Sequence, residues 1–407
     1  MEEWKTYRIG DICNTNTLQY SKKDVWDEFL YLDTGNITRN IIDNVVRYSR
    51  ISELPSRARR KVISDDIIFS TVRPNQCHFG ILNNPPANLL VSTGFAVITV
   101  NKKIVDPYYL YYYLTQDSIV DYLHSIGEQA VSAYPSIKPQ DIEDLEIELP
   151  DLSTQSRIAN TLRTLDYKIQ LNNRINHNLE QQAQALYKSW FVDFEPFKGG
   201  KFVDSELGLI PEGWEVKPLG TICQIEKQTI NPQKQPSCSF CHYSIPAYDN
   251  SEQPEIQKGS DILSNKFLIE DEMILFSKLN PRIKRIWNVY KSEINSICST
   301  EFVVYKSIVR ELYPFVYSVI AGDEFYNSIM SKVNGATGSH QRFHPEETLD
   351  FLVSYHDNTI RLFGHLLLPI IQQVAENKKE NHYLVTLRDS LLPKLISGEL
   401  RINDLTC

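Results

Sequence analysis

Two basic runs and two polar loops hold the side chains of this chain best suited to chemistry, and the chemistry they suit is contact with a polyanion. Arg47, Arg50, Arg57, Arg59, Arg60 and Lys61 are interrupted by one acid, Glu53. Lys278, Arg282, Lys284, Arg285 and Lys291 have no acid between them. Ammonium and guanidinium groups hold phosphates, and an arginine fork can also grip the edge of guanine. A solvated charged face is the alternative that any charge run leaves open. The first polar loop runs from Gly127 through Gln129 and Ser132 to Tyr134, the second from Gly335 through Ser339 and Gln341 to Arg342. Gln341 carries donors that fit adenine and Arg342 donors that fit guanine; an ordinary turn is the other reading. The tyrosine run Tyr108–Tyr113 offers rings for base stacking. Its spacing fits an amphipathic helix packed on its own domain better.

No catalytic set assembles around these residues. Cys238-Ser-Phe-Cys241-His242 has the spacing of a haem c attachment site, but that attachment follows export. Met1-Glu2-Glu3-Trp4-Lys5 lacks the basic-then-apolar start of a signal peptide. A zinc site needs a second ligand pair at sensible spacing, and none is evident. Asn84-Pro85-Pro86-Ala87 is similar to the Asn-Pro-Pro-aromatic motif of amino-methyltransferases, with alanine where the stacking ring belongs. There is no glycine-rich cofactor loop behind a strand and no P-loop. The chain is therefore expected to catalyse nothing by itself and to bind no metal or cofactor. Seven cysteines, an odd number and mostly scattered, read as free thiols in a reducing compartment. The apolar stretches are too short to cross a bilayer, and the cytoplasm is the expected location. A net charge of −9 argues against a protein that coats DNA through overall charge, yet leaves room for local basic faces and for protein partners.

At 407 residues the chain is too long for one ordinary core, and it repeats itself once. Trp4, Ile9, Gly10, Ile12 and Cys13 return as Trp214, Leu219, Gly220, Ile222 and Cys223, 210 positions on. Ile67-Ile68-Phe69-Ser70 returns as Ile274-Leu275-Phe276-Ser277 at an offset of 207, and so does Ser92-Thr93-Gly-Phe95 as Ser299-Thr300-Glu-Phe302. Pro107 matches Pro314 at the same offset, placing Phe315-Val316-Tyr317 beside the tyrosine run, and Pro139 matches Pro345. Order and near-constant offset mark a duplication. The matched residues are apolar or turn-forming, so the two copies are expected to share a core and differ at the surface. Trp4 and Trp214 are expected core anchors. The two basic runs, each beside the repeated Ile-x-Phe-Ser strand, are expected at similar places in the two copies.

Each copy ends in a helical pattern. Apolar residues recur at Ile158, Leu162, Leu165, Ile169, Ile175, Leu179, Ala183, Leu186 and Trp190, and again at Ile360, Phe363, Leu367, Ile370, Val374, Leu384, Leu391 and Leu395. Steps of three and four give a narrow seam suited to helix-on-helix packing. Asn172 and Asn176 fall on the first seam, Asn377 and Asn381 on the second. Matched polar layers can fix the register of a helix pair. The bland alternative leaves each helix on its own domain and the asparagines in water. Pro369 and Pro393 are expected to bound the straight part of the second helix. The fold expected is α+β: two similar mixed α/β domains (1–150 and 198–355), separated by long helices (151–197 and 356–407) that pair as an antiparallel coiled coil with pseudo-two-fold symmetry.

Four strings resemble a known family. Ala185-Leu-Tyr-Lys-Ser-Trp-Phe-Val-Asp-Phe-Glu-Pro-Phe197 resembles the end of the central helix of Type I restriction–modification specificity subunits. Leu207-Gly-Leu-Ile-Pro-Glu-Gly-Trp214 resembles their entry into a second recognition domain, Leu387-Arg-Asp-Ser-Leu-Leu-Pro-Lys-Leu-Ile-Ser-Gly-Glu-Leu400 their C-terminal helix, and Asp141–Pro150 the end of a first recognition domain. The resemblance implies two target recognition domains, each reading one half of a split sequence in double-stranded DNA. It implies helices that measure the gap and dock two modification (methyltransferase) subunits, with restriction (motor-nuclease) subunits completing the complex and no membrane involved. S-adenosylmethionine, Mg and ATP would be used by those partners. A helix from Asp166 to Trp190 would span about 37 Å, close to one turn of B-DNA. The competing readings are a lone methyltransferase or nuclease and a coiled-coil scaffold that reads nothing.

Overall fold

The computed structural model describes residues 4–21, 23–129, 135–333 and 342–404. The chain divides into two compact units, one formed by Met1–Lys168 with Leu384–Cys407 and the other by Ile169–Tyr383.

In the first unit Ile67–Ser70 is buried along its whole length, because it lies between Phe95–Val100 and Phe79–Ile81 with a core on each face. Side chains alternate across a strand. Ile67 and Phe69 accordingly enter one core with the helices, and Ile68 enters another with Phe95 and Val97. Cys13–Thr15 completes this four-stranded sheet. A second four-stranded sheet has the order Val46–Tyr48, Phe29–Leu32, Leu89–Ser92, Ala58–Lys61. Within it Leu89–Ser92 runs parallel to Phe29–Leu32 and antiparallel to Ala58–Lys61.

The second unit repeats this topology. Met273–Ser277 lies between Phe302–Ser307 and Ile286–Val289, with Cys223–Glu226 at the edge. Ser296–Ser299 runs parallel to Ser239–Tyr243 and antiparallel to Lys266–Leu268, and Thr229–Ile230 adds a fifth strand. Even the register repeats: Phe95 pairs with Ser70 and Phe302 with Ser277, each 207 positions on. The duplication read from sequence is thus a duplication of strand pairing.

The tyrosine run forms the helix Pro107–Leu114. Proline opens it, and the Asp106 side chain caps it by accepting from the Tyr108 and Tyr109 amides. Tyr109, Tyr111 and Tyr112 are buried, so the run packs in the core. Gly127 to Gln129 close the helix Asp117–Gln129 instead of forming a loop. Trp214 is buried, whereas Trp4 is half-buried and rests on Gly398.

Both long helices have forty residues, Leu152–Phe191 and Asp357–Ile396. Asp151 caps the first through the Ser153 and Thr154 amides. Gly398, with φ +73°, takes the left-handed position just past the end of the second. Contrary to expectation, that helix runs through Pro369 and Pro393. Pro369 and His365 are both exposed, so the carbonyl that the proline leaves without a donor faces water. Pro393 falls in the last turn. Ile175 is also off the seam and exposed, since Asn176 occupies that place.

Each unit builds its core from one end of each helix. In the first, Ile158, Ala159 and Leu162 join Leu392, Leu395 and Ile396. In the second, Ala183, Tyr187 and Phe191 join Ile360, Phe363, Leu367 and Ile371, with the Phe191 ring 4.8 Å from that of Phe315 and 5.1 Å from that of Phe363.

Candidate nucleic-acid interface

The first basic run is divided by the sheet that carries it. Arg47 lies on one edge strand and Ala58–Lys61 forms the other, with two strands between them, or roughly 14 Å at the usual strand spacing. Arg47 pairs with Glu28 at 2.8 Å, and Lys61 with Asp24 beside the Trp26 ring. The Lys61 hydrogen bond holds the Asp24 carboxyl below its ordinary pKa. Arg60 is half-buried, its Nη1 has no hydrogen-bond partner, and burial lowers its pKa. Arg50, Arg57 and Arg59 are exposed and have no carboxylate partner among the described residues, although Arg59 Nε donates to the Ser56 carbonyl. These three remain open to an anionic ligand.

The second run lies elsewhere in its unit. Lys278, Arg282, Lys284 and Arg285 follow Met273–Ser277 and lead into Ile286–Val289. At offset 207 their counterparts are Thr71 to His78, not Arg57 to Lys61. The expectation that both runs occupy similar places is therefore overturned: one precedes the repeated strand by way of another sheet, and the other follows it directly. Lys284 donates to the Ala321 carbonyl at 2.7 Å and lies 3.3 Å from Asp323. Arg285 is buried and grips Asp249 with two hydrogen bonds, at 2.5 and 2.8 Å, which takes its guanidinium off the surface. Arg282 is exposed and Lys278 half-exposed. Arg342 pairs with Glu301 at 3.0 Å; Ser339 and Gln341 lie outside the described residues. Cys241 and His242 are neighbours in Ser239–Tyr243 and so face opposite sides of the sheet, away from any common ligand.

The helix-pairing residues come together. Asn172, Asn176, Asn377 and Asn381 are buried. Asn172 Nδ2 donates to Asn381 Oδ1 at 2.9 Å, and Asn377 Nδ2 to Asn176 Oδ1 at 2.8 Å. Numbers rise on one helix as they fall on the other, so the pairing is antiparallel. Ile169, Leu179, Leu186, Val374, Leu384 and Leu391 are half-buried along the same helices. In the first unit Asp166 accepts from Tyr112 Oη at 2.6 Å and from Arg388 Nη1 at 2.7 Å. Burial opposes the Arg388 charge, but Asp166 and Asp389 more than offset it and raise its pKa.

The family model described as the Type I restriction modification DNA specificity domain matches residues 1–181. The MjaIX specificity subunit of Methanocaldococcus jannaschii is 27% identical over 98% of this chain and 93% of its own length. The HindI specificity subunit of Haemophilus influenzae is 34% identical over 49% of this chain, a match that spans only 43% of that protein. The chain is similar to Type I restriction–modification specificity subunits, through residues 1–181 to their family model and along nearly its whole length to one of them. The fold agrees: the S subunit structure from M. genitalium superposes with a TM-score of 0.58 over 97% of this chain and 96% of that one, at 15% identity. Among the described residues of this chain, no helix is long and apolar enough to cross a membrane.

Two features of the chain could not be read from its sequence. The acids that neutralise the basic side chains of the runs and of Arg342, namely Glu28, Asp24, Asp249 and Glu301, lie 19 to 41 positions from their partners and meet them only through tertiary pairing. The aromatic group Tyr20, Trp26 and Phe29, with centroids 5.5–5.8 Å apart beside Lys61, was signalled only by its ring density.

Proposed function

We propose that this chain is the sequence-reading subunit of a Type I restriction–modification complex, each unit reading one half of a split double-stranded DNA target. One observation carries the reading: the two units repeat the pairing of their central strands in the same register, while the polar side chains around them differ. Two readers of different half-sites need a common frame with divergent surfaces, whereas a duplicated enzyme would keep its reactive residues in both copies. On this reading Arg50, Arg57, Arg59, Lys278 and Arg282 hold phosphates. The paired long helices set the length of the unread gap and dock two modification subunits, and restriction subunits join them. S-adenosylmethionine, Mg and ATP are used by those partners, and the assembly works in the cytoplasm. The likeness to the MjaIX specificity subunit along nearly the whole chain supports this assignment.

Methylome sequencing of a host expressing the chain with its modification subunits tests it. The expected result is one methylated motif of two short parts flanking an unread gap. Exchanging residues 1–150 for another recognition domain should change one part only, and a heptad inserted in each long helix should widen the gap. An undivided motif, no sequence-dependent methylation, or S-adenosylmethionine binding by the purified chain alone would overturn the assignment.

A further inference from the structure

The turn after Ser92 in the first unit and after Ser299 in the second is built the same way. The serine hydroxyl accepts from the amide two residues on, Gly94 at 3.3 Å and Glu301 at 3.3 Å. The carbonyl of that residue accepts from the amide just past the repeated strand, Thr71 at 2.8 Å and Lys278 at 2.9 Å. What differs is the side chain set on this frame. The first unit has none, and a Cβ on Gly94 would lie 2.9 Å from Thr34 Cγ2. The second unit has the Glu301 carboxylate, which takes the Arg342 guanidinium by one edge. Nε donates to Oε2 at 3.2 Å and Nη2 to Oε1 at 3.0 Å. The residue after Arg342, Phe343, is buried with its ring 5.9 Å from that of Phe276 on the repeated strand. The core thus anchors the backbone beside Arg342 and the carboxylate orients its guanidinium, while 52% of the Arg342 side chain stays exposed.

An ion pair this exposed adds little to stability. Its geometry does more. Glu301 uses the Nε–H and one N–H of Nη2, so the Nη1–Nη2 end of the guanidinium remains as a second fork. Nη1 has no hydrogen-bond partner among the described residues. Phosphate binding draws on net positive charge, which the carboxylate cancels here. Base reading draws on the direction of donors, which the carboxylate fixes. We propose, resting on the function above, that Arg342 reads the O6/N7 edge of a guanine in the half-site of the second unit, and that Glu301 is the positioning residue that aims it. In the major groove that edge offers two adjacent acceptors to such a fork. On the same function Lys278, whose amide the Glu301 carbonyl holds, grips a phosphate beside this pair.

The test uses the full chain with its modification subunits. Methylome sequencing of the parent gives the motif, and exchange of residues 1–150 marks the half that the second unit reads as the half left unchanged. Absence of a split motif refutes the function itself, and the guanine assignment with it. Given a split motif, Arg342→Lys keeps the charge and removes the fork. Its complex should melt as the parent does, while discrimination at one guanine of the marked half falls about 5- to 150-fold and the other half is unchanged. Arg342→Ala should give the same loss at the same guanine. Glu301→Gln should relax that guanine and no other position, again without a change in melting. A motif intact with Arg342→Lys but weakened by Arg342→Ala would identify a phosphate contact and overturn the assignment. So would a relaxed position that is not guanine, a loss spread over both halves, or full discrimination with Glu301→Gln.

Discussion

Tyr112, Asp166 and Arg388 form a polar triad where the duplicated positions of the second unit, Val319, Ile371 and Ala183, are apolar and buried. The same packing problem has therefore been solved twice in one chain, once with charge and once without. Removing one member of a buried pair costs roughly 3–5 kcal/mol, because it leaves the other charge uncompensated. The Asp166 and Arg388 side chains are 23% and 22% exposed, and Arg388 keeps Asp389 at 2.7 Å, so the lower end applies. The stranded Tyr112 hydroxyl adds about 1 kcal/mol. Asp166→Leu should thus cost about 3–4 kcal/mol. Replacing all three groups with apolar residues of similar volume (Tyr112→Phe, Asp166→Leu, Arg388→Leu) should fall within about 1 kcal/mol of the parent or above it, since apolar replacement of a whole buried network is often neutral or stabilising. Hydrogen exchange of the amides in Pro107–Leu114, read by mass spectrometry, reports the local opening free energy directly. A single variant that costs less than about 1 kcal/mol would show that water already reaches the pair. A triple variant as unstable as the single would show net stabilisation by the charges, and either result refutes the reasoning.

Replacing Asn172 and Asn381 together with leucine should raise helix-pair stability by about 1–2 kcal/mol, because a polar seam layer fixes register at a cost in stability. Asn381→Leu alone should cost about 1–3 kcal/mol by leaving Asn172 with fewer acceptors. Urea unfolding checks both, and a destabilised double variant would count against the polar layer as a register device. His242 is buried with Nε2 unpartnered, and burial lowers its pKa despite a hydrogen bond with Gln257. A histidine whose folded pKa lies below its unfolded value adds stability that is present above about pH 6.5 and is lost as the pH falls through the folded value. The second unit should therefore weaken on acidification. His242→Gln should flatten that slope in a pH series of thermal melts, and an unchanged slope would place the acid sensitivity elsewhere.

The duplication could be read from sequence because its repeated residues are the ones the interior constrains. Ile67-Ile68-Phe69-Ser70 and Ile274-Leu275-Phe276-Ser277 feed two cores each, so neither copy could drift in apolar character. The helix pair was legible for the same reason: Asn172, Asn176, Asn377 and Asn381 interrupt an otherwise apolar seam at matching places. The basic runs were less legible. Arg47 and Lys61 are near in sequence, but the sheet order puts two strands between them. Arg285 looks like its neighbours in the chain, yet Asp249, 36 positions earlier, draws it inside. Pro369 misled because its effect on a helix depends on whether the freed carbonyl meets water, which only the packing decides.

The first unit's core contains both Leu162 and Leu392, about 230 residues apart. At about 5–20 residues per second a ribosome needs roughly 10–50 s to travel between them. Over that interval the apolar surface around Tyr109, Leu110 and Ile142 waits for the chain made last. The unit synthesised first is thus finished after the one synthesised second, and a nascent chain of this design depends on chaperones, or on the solubility of a half-covered core, for most of its time on the ribosome.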